Sequence, residues 1–270
     1  MVVAPGRRAR PGAPAAARLA APSREELDEC PFCEGREART PPESRALAAA
    51  PGRKPDAPGW LVRAIPNLYP ALERQEVVVH SPRHVRSLAE LADEELALVA
   101  AMWEDRIAAA GAEGYPYVHA FVNEGRAAGA SLAHSHSQLV WLREAPPAVA
   151  EEDAAPLGTV TAYAGLAVAG HGAWAVAAHP AGRAPYELLV VAREADAPLA
   201  DGLVALRDAI ARLRAAVGET AWNAWLHHGP PRHLHVLPRL AVEAGLELGA
   251  GIWINPVAPE EAAATLRGER

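Results

Sequence analysis

The sequence of 270 residues contains only two cysteines, Cys30 and Cys33, and that scarcity excludes a disulfide scaffold. No apolar run approaches the ~18 residues of a bilayer-spanning helix. The opening stretch, MVVAPGRRARPGAPAAARLAAPS, lacks the apolar core of roughly 7–15 residues that marks a secretory signal. Positive charge is also in short supply: 26 Lys and Arg stand against 33 Asp and Glu, a formal net charge of -7. A dedicated nucleic-acid binder usually shows the opposite balance. Together these absences point to a cytoplasmic protein with neither a membrane nor a nucleic acid as partner. The deficit is uneven. Residues 1–24 carry five Arg and no acid, which leaves 21 basic and 33 acidic residues, or -12, for the remainder.

What is present suffices for a core: half of the residues are hydrophobic and 22% are charged. At roughly 100–200 residues per domain, the length suits one large domain or two small ones. Residues 1–29 and 38–58, rich in Pro, Ala, Gly and Arg, read as loop around the knuckle Cys30-Pro31-Phe32-Cys33, and a globular unit is expected to begin near Trp60. Val77–Val79 reads as a buried strand. Leu96, Val99, Trp103 and Ile107 recur at helical spacing within a helix expected over 91–110. Strands are expected at Tyr117–Asn123 and His134–Leu142. After a Pro- and acid-rich linker at 143–157 the pattern returns. Strands are expected at 174–178 and 186–191, a helix at 201–217, strands at 222–227 and 234–238, and a closing helix at 259–267 with Pro at its start. Both halves thus place strands, a helix and then a strand carrying an H-x-H, a weak repeat consistent with a duplicated α+β unit.

The strongest local signal is NEGRAAGASLAHSHSQ, residues 123–138. On a strand, residues two apart share a face, so His134, His136 and Gln138 would point the same way. A neutral imidazole can ligate a metal or attack an electrophile. An amide can donate to a phosphoryl oxygen without titrating. The bland alternative is a polar strand face with incidental histidines; the clustering favours function. The C-x-x-C is either a redox pair or half of a zinc site. Its Pro-rich flanks do not supply the βαβ context of a thioredoxin-like pair, which favours zinc, with His80, His84, His119 and His134 as candidate further ligands. His171 and His179, near turns, read as surface histidines. The seven tryptophans read as core and interface filler rather than a base-stacking platform.

Several phrases in order, VVAPGRRARP, ECPFCEGRE, IPNLYPAL, EVVVHSPRH, YPYVHAFVNEGRAAGASLAHSHSQL, APYELLVV and GLELGAGIWINPVAPEEAA, make the chain resemble the galactose-1-phosphate uridylyltransferases. That family lies in the histidine-triad superfamily, close to the nucleotide-sugar phosphorylases. The resemblance implies an α+β, duplicated histidine-triad-like fold with an antiparallel sheet and packed helices in each half. The halves would be 1–150, with a zinc site and the nucleophile, and 151–270, with the sugar pocket. It implies that His136 attacks the α-phosphorus of UDP-glucose and carries UMP to a hexose 1-phosphate, galactose 1-phosphate, with Gln138 bonding the transferred phosphoryl group. Zinc would be held by Cys30, Cys33, His84 and His134. Arg7, Arg10, Asn67, Asn123 and Ser131 match positions that bind the nucleotide and its phosphates, the arginine pair across a homodimer interface. Some relatives carry a second metal on a second C-x-x-C, which this chain lacks. Others use a carboxylate and three histidines, for which Glu152, His227, His233 and His235 are the candidates. Trp253 matches the sugar-pocket segment. Two other readings stay open: an ADP-glucose-type phosphorylase that uses inorganic phosphate, and a catalytically silent nucleotide-binding scaffold.

Overall fold

The computed structural model describes residues 1–9, 21–150 and 165–269. The chain divides into two compact units. One comprises residues 20–124 and 130–152; the other comprises 1–19, 125–129 and 153–270.

In the first unit, strands β2 (Arg45–Ala48), β3 (Trp60–Pro66) and β4 (Arg74–Val79) form an antiparallel meander. Helix α2 (Asp93–Ala112) crosses over, and the hairpin β5 (Tyr117–Glu124) and β6 (His136–Leu142) returns with β6 beside β4. The sheet order is β2-β3-β4-β6-β5. α2 begins where Glu95 reaches back to the Ala92 N–H, and three acids in its first turn suit the positive end of the helix dipole. It buries Leu96, Val99, Met102 and Trp103 against one face of the sheet. Ile107 is only half-buried. The next buried position is Arg106, whose guanidinium pairs with Glu76 of β4 at 2.9 Å and 3.1 Å. A charge can occupy that turn because its partner is buried beside it.

In the second unit, β7 (Ala167–His171), β8 (Trp174–Ala178) and β9 (Leu188–Ala192) form the meander. A helix, here α4 (Leu199–Val217), crosses over, and β10 (Trp222–His227) and β11 (His233–Pro238) return with β11 beside β9. The order β10-β11-β9-β8-β7 repeats the topology of the first unit. The helix Pro259–Leu266 packs on β7, β8 and α4. A two-stranded parallel strip pairs β1 (Val2–Val3) with β12 (Ile254–Asn255). The fold is therefore α+β and duplicated, with an antiparallel sheet and packed helices in each half.

Residues 21–29 and 38–58 are mostly loop, as expected, but they hold helix α1 (Arg24–Glu29) and strand β2. They also hold an ion network in which Glu43 takes Arg53 at 2.7 Å and Arg63 at 3.0 Å. The strand expected from Tyr186 begins at Leu188, because Tyr186 has φ 60, a left-handed conformation incompatible with a ladder. The strand expected from His134 begins at His136. The linker 143–157 includes a helical turn at Pro147–Ala150, and its residues from 151 onward lie outside those described.

Candidate functional site

The knuckle 30–33 packs on the sheet face opposite α2. Cys30, Phe32, Trp60, Ile65, Val77 and Val79 form one buried cluster. Val79 pairs with His136 and Val77 with Gln138, so these histidine and glutamine side chains share the knuckle's face. On the opposite face Trp103 of α2 donates from Nε1 to Ser137 Oγ at 2.8 Å. The strand is thus held from behind by the helix, and its front carries the polar groups.

Cys30, Cys33, His84 and His134 form one group whose ligand atoms all lie within 4.8 Å of one another. Cys30 Sγ is 3.4 Å and Cys33 Sγ 3.7 Å from His134 Nδ1, and Cys33 Sγ is 3.3 Å from His84 Nδ1. These match the edges, about 3.3–3.8 Å, of a tetrahedron built on metal–ligand bonds of about 2.0–2.3 Å. Each imidazole is oriented from its far side. His134 donates from Nε2 to the Ser81 carbonyl at 2.9 Å, and His84 donates from Nε2 to Glu26 at 3.0 Å, so both Nδ1 lone pairs face the sulfurs. Burial, reinforced by Cys30, pushes the Cys33 thiol up to about 12. Burial also takes His134 down to about 4, against the pull of its bond to Ser81. Two thiols and two imidazoles whose donor atoms converge make a set that a soft divalent cation would complete. His80 and His119 stand outside this group. His80 is fully buried and its Nδ1 meets Ser135 Oγ at 2.9 Å, while His119 lies beside Phe121 with ring centroids 5.4 Å apart.

Two residues beyond His134, the ring of His136 is buried with its Nδ1 2.8 Å from the carbonyl of His134. A carbonyl only accepts, so the proton sits on Nδ1 and the lone pair on Nε2. Burial lowers the His136 pKa from its ordinary value, partly offset by that carbonyl. The ring is therefore neutral at pH 7 and nucleophilic at Nε2. Phe32 of the knuckle packs edge-on against it at 5.4 Å. Half-buried Gln138 accepts at Oε1 from Asn67 Nδ2 at 3.3 Å and from Gln75 Nε2 at 2.6 Å. Extending the β5–β6 register, Asn123 stands across from His136. Ser131 is exposed in the turn before His134. Arg7 is exposed in a 3-10 turn over Pro5–Ala9, and Arg10 lies outside the described residues.

In the other unit His227, His233 and His235 form a second group of possible metal ligands, as do His179, Glu187 and His235. Glu152 lies outside the described residues. The surface reading of His179 is overturned: the residue is half-buried, and its ring stands 5.7 Å from that of His235. His171, expected at the surface, has a side chain 40% exposed. Five tryptophans, Trp60, Trp103, Trp141, Trp174 and Trp222, are core. Trp225 instead stacks on His235 at 4.9 Å, and the guanidinium of Arg183 lies over its ring at 5.1 Å. Trp253 is half-buried. Sequence reasoning passed over Phe32 as a contact of His136 and Gln75 as a contact of Gln138. Nothing in spacing marks either, since both are brought in across the sheet.

Comparison with known proteins shows what this arrangement is similar to. Residues 70–147 match the family described as galactose-1-phosphate uridyl transferase, N-terminal domain. An ADP-glucose phosphorylase of Arabidopsis thaliana is 27% identical over 88% of this chain and 81% of its own length. Among solved structures, a GalT-like protein of Arabidopsis thaliana superposes with a TM-score of 0.79 at 25% identity, covering 88% of this chain and 91% of the other. A uridylyltransferase superposes with a TM-score of 0.73 at 25% identity, covering 95% and 93%. The Arabidopsis thaliana ADP-glucose phosphorylase with bound ADP-glucose shares the fold, with a TM-score of 0.81 at 24% identity over 98% and 94%. The chain is thus similar to the galactose-1-phosphate uridylyltransferases over residues 70–147 and to a nucleotide-sugar phosphorylase over most of its length, the resemblance its motifs carry. No described helix is long and apolar enough to cross a membrane.

Proposed function

We propose that this chain transfers a nucleoside monophosphate from a nucleotide sugar to a phosphate-bearing acceptor through a covalent nucleotidyl-His136. The observation that carries the proposal is the bond from His136 Nδ1 to the His134 carbonyl, which holds Nε2 as the lone-pair nitrogen two residues from a fixed amide. In the first half-reaction the Nε2 lone pair attacks the α-phosphorus. The bond from that phosphorus to the bridging oxygen breaks, and a sugar 1-phosphate leaves with the electron pair. The imidazole becomes cationic as the N–P bond forms, and the His134 carbonyl, accepting from Nδ1, stabilises that charge. Gln138 donates from Nε2 to a non-bridging oxygen whose charge grows in the transition state. In the second half-reaction an acceptor phosphate oxygen attacks the same phosphorus, the N–P bond breaks, and neutral His136 returns. The sugar phosphate needs little protonation to leave, so the chain's work is mostly positioning and charge stabilisation.

Asn67, Asn123 and Ser131 would bind the nucleotide and its phosphates, and Arg7 and Arg10 would reach its phosphates. Zinc, held by Cys30, Cys33, His84 and His134, would supply a cross-link between the knuckle and the strand of His136, not chemistry at phosphorus. Three imidazoles, His227, His233 and His235, with Glu152, would hold the second metal. A homodimer is part of the same reading.

ADP-glucose with inorganic phosphate as acceptor is the pair that the relatives favour. The relative so named spans 88% of this chain, whereas the family match is confined to residues 70–147. UDP-glucose with galactose 1-phosphate is the second reading, favoured by that family match. Intact-protein mass after mixing with ADP-glucose, and separately UDP-glucose, without acceptor tests both. A mass gain of one nucleoside monophosphate, absent in His136→Asn, is expected; which donor gives it names the base. Discharge by inorganic phosphate or by galactose 1-phosphate then names the acceptor. No gain with either donor would sink the proposal and leave a nucleotide-binding scaffold.

A further inference from the structure

The function of Gln138 depends on which end of its amide faces the phosphoryl group, since oxygen there would repel and nitrogen would bind. The strand itself does not decide this, because the two ends are nearly the same size. Two backbone N–H groups do. The Tyr69 N–H donates to Asn67 Oδ1 at 2.9 Å, and the Ala71 N–H donates to Gln75 Oε1 at 2.8 Å. A backbone N–H can only donate, so both side-chain oxygens are committed to the β3–β4 turn. The amino ends of Asn67 and Gln75 must then point the other way, and both meet Gln138 Oε1, at 3.3 Å and 2.6 Å. An oxygen that accepts two N–H groups leaves the Gln138 Nε2 hydrogens directed away from them.

We infer that Gln75 is a positioning residue that sets the polarity of the Gln138 amide, acting as the middle of a one-way relay from Ala71 N–H to Gln75 to Gln138. The inference rests on the role given to Gln138 under the proposed function, but the relay itself is a structural claim. Gln75 lies on β4 opposite Val140, on the face that carries Gln138, so it reaches the amide diagonally across the ladder. Asn67 also contributes, with the longer bond, at the end of β3 where its own N–H is tied to the Gln75 carbonyl at 2.8 Å. The turn between them, with Leu68 and Tyr69 exposed, thus sets the direction of hydrogen bonding at a side chain two strands away from its first residue.

Glu at position 75 has the shape of Gln but can only accept when ionised. One carboxylate oxygen would still accept from the Ala71 N–H; the effect falls on Gln138, whose nitrogen would turn to meet the other carboxylate oxygen and present Oε1 to the phosphoryl group. Leu at 75 removes the donor without demanding the reversal. The relay therefore predicts an order that a merely structural role would not give. Gln75→Glu, the better mimic in shape, lowers the rate of His136 nucleotidylation by roughly a hundredfold, the cost of losing one donor to a transition-state oxyanion. Gln75→Leu lowers it by roughly tenfold. In both, KM for the nucleotide sugar changes little, because the lost bond strengthens in the transition state. Rapid-quench measurement of covalent labelling reads the rate, and a thermal melt confirms that each variant is folded.

A second readout does not need activity. In a proton–nitrogen spectrum the Gln75 side-chain amide, assigned by its absence in Gln75→Glu, is expected downfield and slow to exchange. In Gln138→Leu it moves to the position of a free amide. Gln75→Glu as active as Gln75→Leu or more so, or a Gln75 amide signal unmoved by Gln138→Leu, would overturn the relay. If the native protein labels with no donor, the proposed function fails, and the amide signals still decide the orientation.

Discussion

The two units place a histidine at the same point of the same topology and differ in what surrounds it. In one, Val79 pairs with His136 at the start of β6; in the other, Val191 pairs with His233 at the start of β11. Just before each pair the ladder continues in the same way, with the His80 N–H on the Ser135 carbonyl and the Ala192 N–H on the Arg232 carbonyl. Each histidine places Nδ1 2.8 Å from the carbonyl two residues back, that of His134 or of Pro231. Across the hairpin His227 stands where Asn123 stands in the first unit, and His235 replaces Gln138. The backbone device that presents an imidazole nitrogen is thus duplicated, while its setting is not. Around His136 the neighbours are amides, which donate and accept without binding a cation tightly. Around His233 they are imidazoles, suited to ligate one. The same scaffold gives a nucleophile in one half and a ligand set in the other according to two side chains.

The sharpest way to break that comparison is to exchange the roles. His136→Asn is expected to abolish covalent labelling, a loss of roughly a thousandfold or more in turnover. His233→Asn should leave labelling in place; intact-protein mass on both variants checks it. Equal losses would show that the two histidines do not differ in function. Next in size is the metal. Cys33→Ser should lower bound zinc by one equivalent per chain and destabilise the first unit by several kcal/mol, since binding energy at a structural site is folding energy. Metal analysis with a thermal melt reads both, and His235→Ala should leave that equivalent in place.

Smaller effects sharpen what holds each unit together. The Glu43 side chain is 7% exposed, and its hydrogen bond to Arg53, joined by Arg63, holds its carboxyl below the usual carboxylate pKa. A folded-state pKa below the unfolded one means stability that is present above the ordinary carboxylate range and lost as pH falls through the folded value. Glu43→Gln should therefore cost roughly 1–3 kcal/mol at pH 7, with the difference from the native protein shrinking in acid. Denaturant titrations at several pH values test it. In the other unit a Cβ on Gly202 of α4 would lie 2.8 Å from the Trp174 ring of β8. Trp174 is fully buried, so it has no room to yield. Gly202→Ala is expected to cost roughly 1–3 kcal/mol through overpacking, despite the better helix propensity of alanine. A melt no lower than that of the native protein would contradict it.

The long helices were legible from spacing because Leu96, Val99 and Trp103, or Leu203, Leu206 and Ile210, recur once per turn on a buried face. The strand ends were less legible. Tyr186 looks like a strand residue by type, and only its left-handed backbone removes it. His134 alternates correctly with His136, yet its carbonyl serves the ring two residues on and the Ser135 N–H turns to the Val85 carbonyl. The region 38–58 looked featureless because its order rests on Arg53, Arg63, Glu43 and Asp56, whose pairings have no period. Asn67 was singled out by its phrase alone; its bond to Gln138 joins residues 71 positions apart.

By itself the sequence determined the duplicated α+β pattern, the knuckle Cys30-Pro31-Phe32-Cys33 and the H-x-H-x-Q strand. Periodicity and spacing are local properties, and a local pattern survives being read one residue at a time. Only the tertiary structure decided which of four histidines joins the two thiols, which nitrogen of His136 carries the proton, and which end of the Gln138 amide is turned outward. Those are settled by acceptors and donors supplied by other residues: the Ser81 carbonyl, Glu26 of α1, the His134 carbonyl, and the side chains of Asn67 and Gln75. A hydrogen bond has direction, and the direction at each of these atoms is imposed by groups that the chain brings near only when the sheet closes.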